Sequence, residues 1–65
     1  MTNLHCEIHP ERETVNIFKN DRLIGFVQNI NGEPTIMLNS LFKGQLTLNE
    51  LDIVLDNWNQ IPTPA

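Results

Sequence analysis

Two short polar dipeptides constrain the fold more than any other feature of this sequence. Asn20-Asp21 and Asn31-Gly32 each separate two segments that are rich in β-branched and aromatic residues. Asn, Asp and Gly tolerate the positive φ angles of a two-residue hairpin turn, whose twist suits antiparallel strands. The sequence therefore predicts two consecutive tight hairpins.

The strands around these turns follow from alternation and composition. Leu4, Cys6 and Ile8 alternate with polar residues, with the period of two that is typical of a half-buried strand, and Pro10 ends it. Pro34 has no amide donor, so the strand near it either begins there or lies at a sheet edge. Three further strands are predicted, at residues 14–19, 23–28 and 35–38.

A capping box marks the start of a predicted helix at residues 48 to about 59. The Thr47 hydroxyl can accept from the amide of Glu50, while the Glu50 carboxylate reaches back to the amide of Thr47. Leu46 and Leu51 have the spacing of a hydrophobic staple around this cap. At about 100° per residue, one helix face carries Leu48, Leu51, Val54, Leu55, Trp58 and Ile61.

The predicted fold class is therefore α+β. We expect a small antiparallel β-meander of three to four strands, with one C-terminal amphipathic helix packed on one face, in the order β-β-β-β-α. Residues 1–61 are predicted to form a single domain, and residues 62–65 a flexible, proline-containing tail. Residues 39–45 are predicted to form one turn that Asn39 or Ser40 caps and Gly44 ends.

Cross-strand pairing then assigns the side chains to sheet faces. Two-residue turns predict that both faces are apolar, and a single helix covers only one of them. The other face needs a cover within the chain or is an interface, although a different turn length would change the register and leave one face more polar. One predicted face carries Val15, Ile17, Ile24, Phe26 and Met37, and the other carries Phe18, Leu23, Val27, Ile36 and Leu38.

The candidate partner-binding residues come from the first of these faces and from the helix. Ile53 lies among the polar residues of the helix, where it extends a contact surface or is simply an exposed isoleucine. Gly25, inside a predicted strand, indicates a bulge, a close approach by a partner's backbone or a gap over which Trp58 packs. The candidate residues are Val15, Ile17, Ile24, Phe26, Met37 and Ile53.

Charge argues against nucleic acid as the main ligand. The chain has a net charge of -4, and its four basic residues make a poor footprint for phosphate backbones. The alternative retained here is a nucleic-acid-binding regulator that uses the Thr14–Gln28 hairpin, which carries Lys19 and Arg22 with Arg12 nearby.

His5, Cys6 and His9 are the candidate metal ligands, and they support a second alternative, a small metal-binding protein. On a strand, however, Cys6 points away from both histidines, and His5 and His9 are about 13 Å apart, too far to share one ion. Cys6 as a nucleophile would need a positioned base, and it reads instead as a small core residue. We therefore predict no metal site, no cofactor and no catalytic residues.

The leading expectation is a non-catalytic protein-interaction module, a regulator, adaptor or inhibitor that acts by binding a partner protein. With 65 residues the domain buries a marginal core, which favours a homodimer. A lone cysteine, no signal peptide and no apolar run long enough to span a membrane predict a cytoplasmic location. Size and charge alone are similar to those of small phage- or mobile-element-encoded proteins.

Overall fold

The computed structural model describes residues 3–61 of the chain, and the predicted tail at 62–65 lies outside them. Four strands form one antiparallel sheet in the order β1-β2-β3-β4, and a C-terminal helix packs on it, which confirms the predicted α+β meander. The elements are β1 (Leu4–His9), a 3-10 turn (Pro10–Arg12), β2 (Thr14–Lys19), β3 (Arg22–Ile30), β4 (Glu33–Leu38) and α1 (Leu48–Trp58). In the described part of the chain, no helix is long and apolar enough to cross a membrane.

Both hairpin turns have the backbone that their residues predict. Asn20 and Asp21 have φ angles of 54° and 63°, and Asn31 and Gly32 have φ angles of 54° and 85°. Positive φ at both central positions is the signature of the type I′ turn, whose twist matches that of the flanking strands. Each turn therefore joins its strands at the predicted pairs, which are Lys19 with Arg22 and Ile30 with Glu33.

A β-bulge between β2 and β3 changes the predicted faces of the sheet. Phe18 pairs with Leu23 as predicted, but Ile17 pairs with Gly25, so Ile24 is an extra residue on β3. Glycine is required beside the bulge, because a Cβ at Gly25 would lie 2.5 Å from the carbonyl oxygen of Met37 on β4. Among the three readings of Gly25, the bulge is confirmed. The backbone that approaches Gly25 is that of β4 in the same chain.

The bulge corrects the predicted assignment of residues to the two faces of the sheet. Val15 pairs with Val27 rather than with Phe26, so Val27 joins the face that packs on the helix. Phe26 now pairs with Asn16 and lies on the opposite face with Met37. The predicted turn lengths were right, and the error came from a register shift inside the strands.

The core lies between the sheet and the helix, over β1 and β2, which are the strands that α1 mainly contacts. Among residues 3–61, the buried hydrophobic side chains are Val15, Ile17, Ile24, Val27 and Val54. The partly buried side chains packed against them are Leu4, Cys6, Ile8, Phe42, Leu46, Trp58 and Ile61. Burial of each such aliphatic side chain stabilises the fold by about 1.5–3 kcal/mol.

The helix begins with the predicted capping box. The amide of Glu50 donates to Thr47 Oγ1 over 3.1 Å, and the amide of Thr47 donates to Glu50 Oε1 over 2.8 Å. The helix is nevertheless rotated about its axis relative to the predicted stripe. Glu50 and Val54 are its buried residues, whereas Leu48 and Leu55 are 82% and 53% exposed.

Residues 39–47 connect β4 to the helix without helical structure. Asn39 Oδ1 accepts from the amide of Leu41, and the backbone oxygen of Asn39 accepts from the amide of Phe42. Asn39 therefore caps a single turn, as predicted. Phe42 packs against the core, whereas Leu41 remains 80% exposed.

Candidate functional site

An apolar patch lies on the sheet face opposite the helix, which we call the open face. Cross-strand partners share a face, and the pairs Phe18–Leu23 and Phe26–Met37 place these four side chains together. Leu23 and Met37 are 47% and 42% exposed, and Phe18 and Phe26 are half-buried. We define Phe18, Leu23, Phe26 and Met37 as the open-face patch.

Polar side chains border this patch on the open face. His5 pairs with Phe18, and their rings stack with centroids 4.9 Å apart and planes 2° from parallel. Asn16 pairs with Phe26, and Gln28 pairs with Thr35. A compact apolar patch with a polar rim is characteristic of interaction surfaces on soluble proteins.

Strand β4 extends the exposed apolar surface around the edge of the sheet. Ile36 and Leu38 pair with Val27 and Gly25, so they belong to the helix side of the sheet. Because α1 covers mainly β1 and β2, these side chains remain 37% and 49% exposed. A hollow at this edge joins the open-face patch to the end of β4. It is lined by Leu23, Gly25, Phe26, Met37, Leu38 and Asn39.

The structure separates the predicted partner-binding residues. Val15 and Ile17 are 0% exposed, and Ile24 is also buried, so all three belong to the core rather than to a binding surface. Phe26 and Met37 do lie together, on the open face. Ile53 is half-buried on the helix, which packs on the other side of the sheet.

Sequence reasoning placed Phe18 and Leu23 on a different face from Phe26 and Met37. The bulge moves the two pairs onto one face, because it inserts a residue between Leu23 and Phe26. Gly25 was the local signal for this change, since an isolated glycine inside a strand often marks a bulge. Its consequence for the patch depends on the register of three strands together.

The basic side chains of the Thr14–Gln28 hairpin are not all available to a ligand. Lys19 Nζ lies 3.1 Å from Glu50 Oε2 and donates to the backbone oxygen of Gln45 over 3.2 Å. Glu50 is only 3% exposed, so this ion pair fastens the end of β2 to the start of the helix. Arg22 remains as an exposed basic side chain next to the turn.

His5, Cys6 and His9 do not converge. Cys6 pairs with the core residue Ile17 and packs against the core, whereas His5 and His9 lie on the open face. His9 Nε2 lies 3.8 Å from Glu7 Oε1, and His9 Nδ1 lies 3.7 Å from Glu11 Oε1. Between residues 3 and 61, no group of three or more His, Cys, Asp or Glu side chains is arranged to hold a metal ion.

The Cys6 thiol lies in an environment that favours its neutral form. Burial raises its pKa, because the thiolate loses hydration when it is enclosed by the core. A nucleophilic cysteine requires the opposite, a lowered pKa next to a positive charge or a helix N-terminus. The position of Cys6 therefore suits a small core side chain.

Comparison of the chain with models of known protein families, with curated proteins and with solved structures finds no match.

Proposed function

We propose that this protein is a non-catalytic interaction module that binds a partner protein through the open-face patch. The observation that carries the proposal is the concentration of Phe18, Leu23, Phe26 and Met37 on a sheet face that no element of the described chain covers. Burial of such surface supplies about 25 cal/mol per Å². The patch would bind a partner that presents a complementary apolar surface.

The composition of the patch fits a binding role. Aromatic side chains and methionine are enriched at protein interfaces, because they bury a large area for few rotatable bonds or adapt to an irregular surface. Two aromatic rings and one methionine lie within this patch. An adaptor, a regulator or an inhibitor would use such a surface in the same way, by occupying a partner.

Site-specific photocrosslinking in a lysate of the source organism tests the proposal. We expect a crosslinker at Leu23 to capture a specific protein, and a crosslinker at Asp52, which is exposed on the helix, to leave that protein uncaptured. Equal capture from both positions, or none from Leu23, would contradict the proposal.

Affinity measurements with the captured protein then test the patch directly. Leu23→Lys places a charge in the patch, and we expect it to weaken binding by about tenfold or more, since central interface side chains contribute upwards of 1–2 kcal/mol. Leu55→Lys is the matched control, because Leu55 has similar exposure but lies on the helix. Equal weakening by the two variants would place the binding surface elsewhere.

A further inference from the structure

The free edge of β4 differs from that of β1 in the side chains it carries. Natural edge strands are protected from pairing by charges, prolines or bulges. Strand β1 carries Glu7 and two histidines, whereas β4 has no charged residue between Glu33 and its end at Leu38. Pro34 protects only the beginning of β4, and the following residues Ile36, Met37 and Leu38 are exposed.

The backbone groups of this edge are oriented for pairing with another strand. The amide of Asn39 donates to the carbonyl oxygen of Ile24 on β3 over 2.6 Å. Hydrogen-bonding directions alternate along an antiparallel strand, so the amides of Ile36 and Leu38 point away from β3. Among residues 3–61, no strand pairs with this edge, so it offers two donors, together with the carbonyl oxygens of the same residues.

We propose that a second copy of this chain pairs with β4 in antiparallel orientation, about a twofold axis at Met37. In this register Ile36 of each copy opposes Leu38 of the other, and each such pair exchanges two hydrogen bonds. Pro34 then opposes Ser40, outside the ladder, so its missing amide removes no bond. The two four-stranded sheets become one continuous sheet of eight strands.

The charges at the two ends of β4 favour this antiparallel arrangement of two copies. Glu33 begins β4, while Arg22 and Lys43 border the same surface depression as Asn39, just after its end. The twofold axis places the Glu33 end of one β4 beside the Asn39 end of the other, next to this depression. The antiparallel arrangement therefore brings the acidic start of each β4 toward the basic surroundings of the other strand's end, whereas a parallel arrangement would bring the two Glu33 side chains together.

The pairing also joins the apolar surfaces. Met37 of one copy lies against Met37 of the second copy on the open face, while Ile36 and Leu38 pack together on the helix side. The two open-face patches then form one apolar strip across the axis. Only the binding of a partner protein to this strip rests on the proposed function. The strand pairing involves two copies of this chain and no other partner.

A disulfide across the axis tests the register. Directly opposed residues of a non-hydrogen-bonded antiparallel pair have Cα atoms about 4.5 Å apart, within the range that a disulfide spans. In a Cys6→Ala background, we expect Met37→Cys to form a disulfide-linked dimer roughly a hundredfold faster than Leu23→Cys at about 10 μM protein, since pairing raises the effective concentration to the millimolar range. Leu23 has similar exposure but lies one strand away from the axis.

Sedimentation equilibrium across a dilution series measures the association of the unmodified chain. The expected mass is twice the 7.5 kDa of one chain, and Met37→Lys is expected to return it to the monomer with unchanged circular dichroism. Ile36→Lys serves the same purpose if Met37→Lys fails to fold. A monomer at all concentrations, or equal disulfide rates for the two cysteine variants, would overturn the proposal.

The two proposals fail separately. A monomer that still captures a partner from Leu23 overturns the strand pairing and leaves the interaction module in place. A dimer that captures no partner supports the strand pairing and overturns the proposed interaction role.

Discussion

Gly25 is the residue at which the sheet depends on the absence of a side chain. A Cβ at this position would lie 2.5 Å from the carbonyl oxygen of Met37 and 3.0 Å from Cα of Leu38. Both contacts are with backbone, so neither can be relieved by a change of rotamer. The close approach of β3 and β4 is therefore tied to this glycine, and the bulge beside it sets which side chains form the open-face patch.

Replacement of Gly25 by alanine should destabilise the protein. Forcing an extra methyl group against packed atoms costs about 1–3 kcal/mol, which we expect as a lower free energy of unfolding in urea. Asn29→Ala is the control, because Asn29 is exposed on the same strand and surface substitutions usually change stability by about 0.5 kcal/mol or less. Equal stability of the Gly25→Ala variant and the unmodified chain would show that β4 can move away without cost.

At the scale of elements, one buried carboxylate connects the helix to the sheet. Glu50 completes the capping box, forms an ion pair with Lys19 and is almost fully buried. A buried carboxylate requires such partners, because desolvation of an unpaired charge is costly. Glu50 faces the sheet and contacts Lys19, whereas Leu48 and Leu55 point outward although they belong to the apolar stripe of the sequence.

Replacement of Glu50 should therefore cost more than the loss of an ordinary cap. We expect Glu50→Ala to lower the unfolding free energy by about 2–3 kcal/mol, because the reciprocal cap contributes about 1 kcal/mol and hydrogen bonds to a charged group contribute about 1.5–3 kcal/mol. Glu50→Gln keeps an oxygen for the Thr47 amide and should lose less. The measurement is denaturant unfolding.

Asp52→Ala provides the comparison for this series, since Asp52 is an exposed acid on the same helix. Its unfolding free energy should stay within about 0.5 kcal/mol of the unmodified chain. Equal effects of Glu50→Ala and Asp52→Ala would mean that the contacts of Glu50 contribute nothing beyond surface charge.

The elements that sequence predicts well are those specified by adjacent residues. The turns at Asn20-Asp21 and Asn31-Gly32 and the capping box at Thr47 depend on groups at most a few residues apart. The contact that joins the helix to β2 is between Lys19 and Glu50, which are 31 positions apart. Hydrophobic periodicity predicts neither this ion pair nor the contact of Gly25 with β4. The candidate site was therefore only partly predictable from the sequence.

At the scale of the whole molecule, many large apolar side chains remain outside the core. The buried hydrophobic core of the described chain consists of valines and isoleucines, while several leucines, isoleucines and Met37 remain exposed. A domain of this size buries only about 60% of the surface of its unfolded chain. Association through β4 would add buried apolar surface that the fold by itself does not supply.

This association predicts that thermal stability depends on protein concentration. When unfolding is coupled to dissociation of a dimer, each tenfold rise in concentration adds about 1.4 kcal/mol per dimer, or about 0.7 kcal/mol per chain. For a domain of this length, that corresponds to a rise of about 3–5 °C in Tm per tenfold. Differential scanning calorimetry over two decades of concentration measures this rise in Tm.

The Met37→Lys variant should have one Tm at all concentrations, because two lysines on the twofold axis repel each other. A Tm of the unmodified chain that is equally constant would contradict coupled dissociation, and the exposed apolar surface would then be left to a partner of another kind.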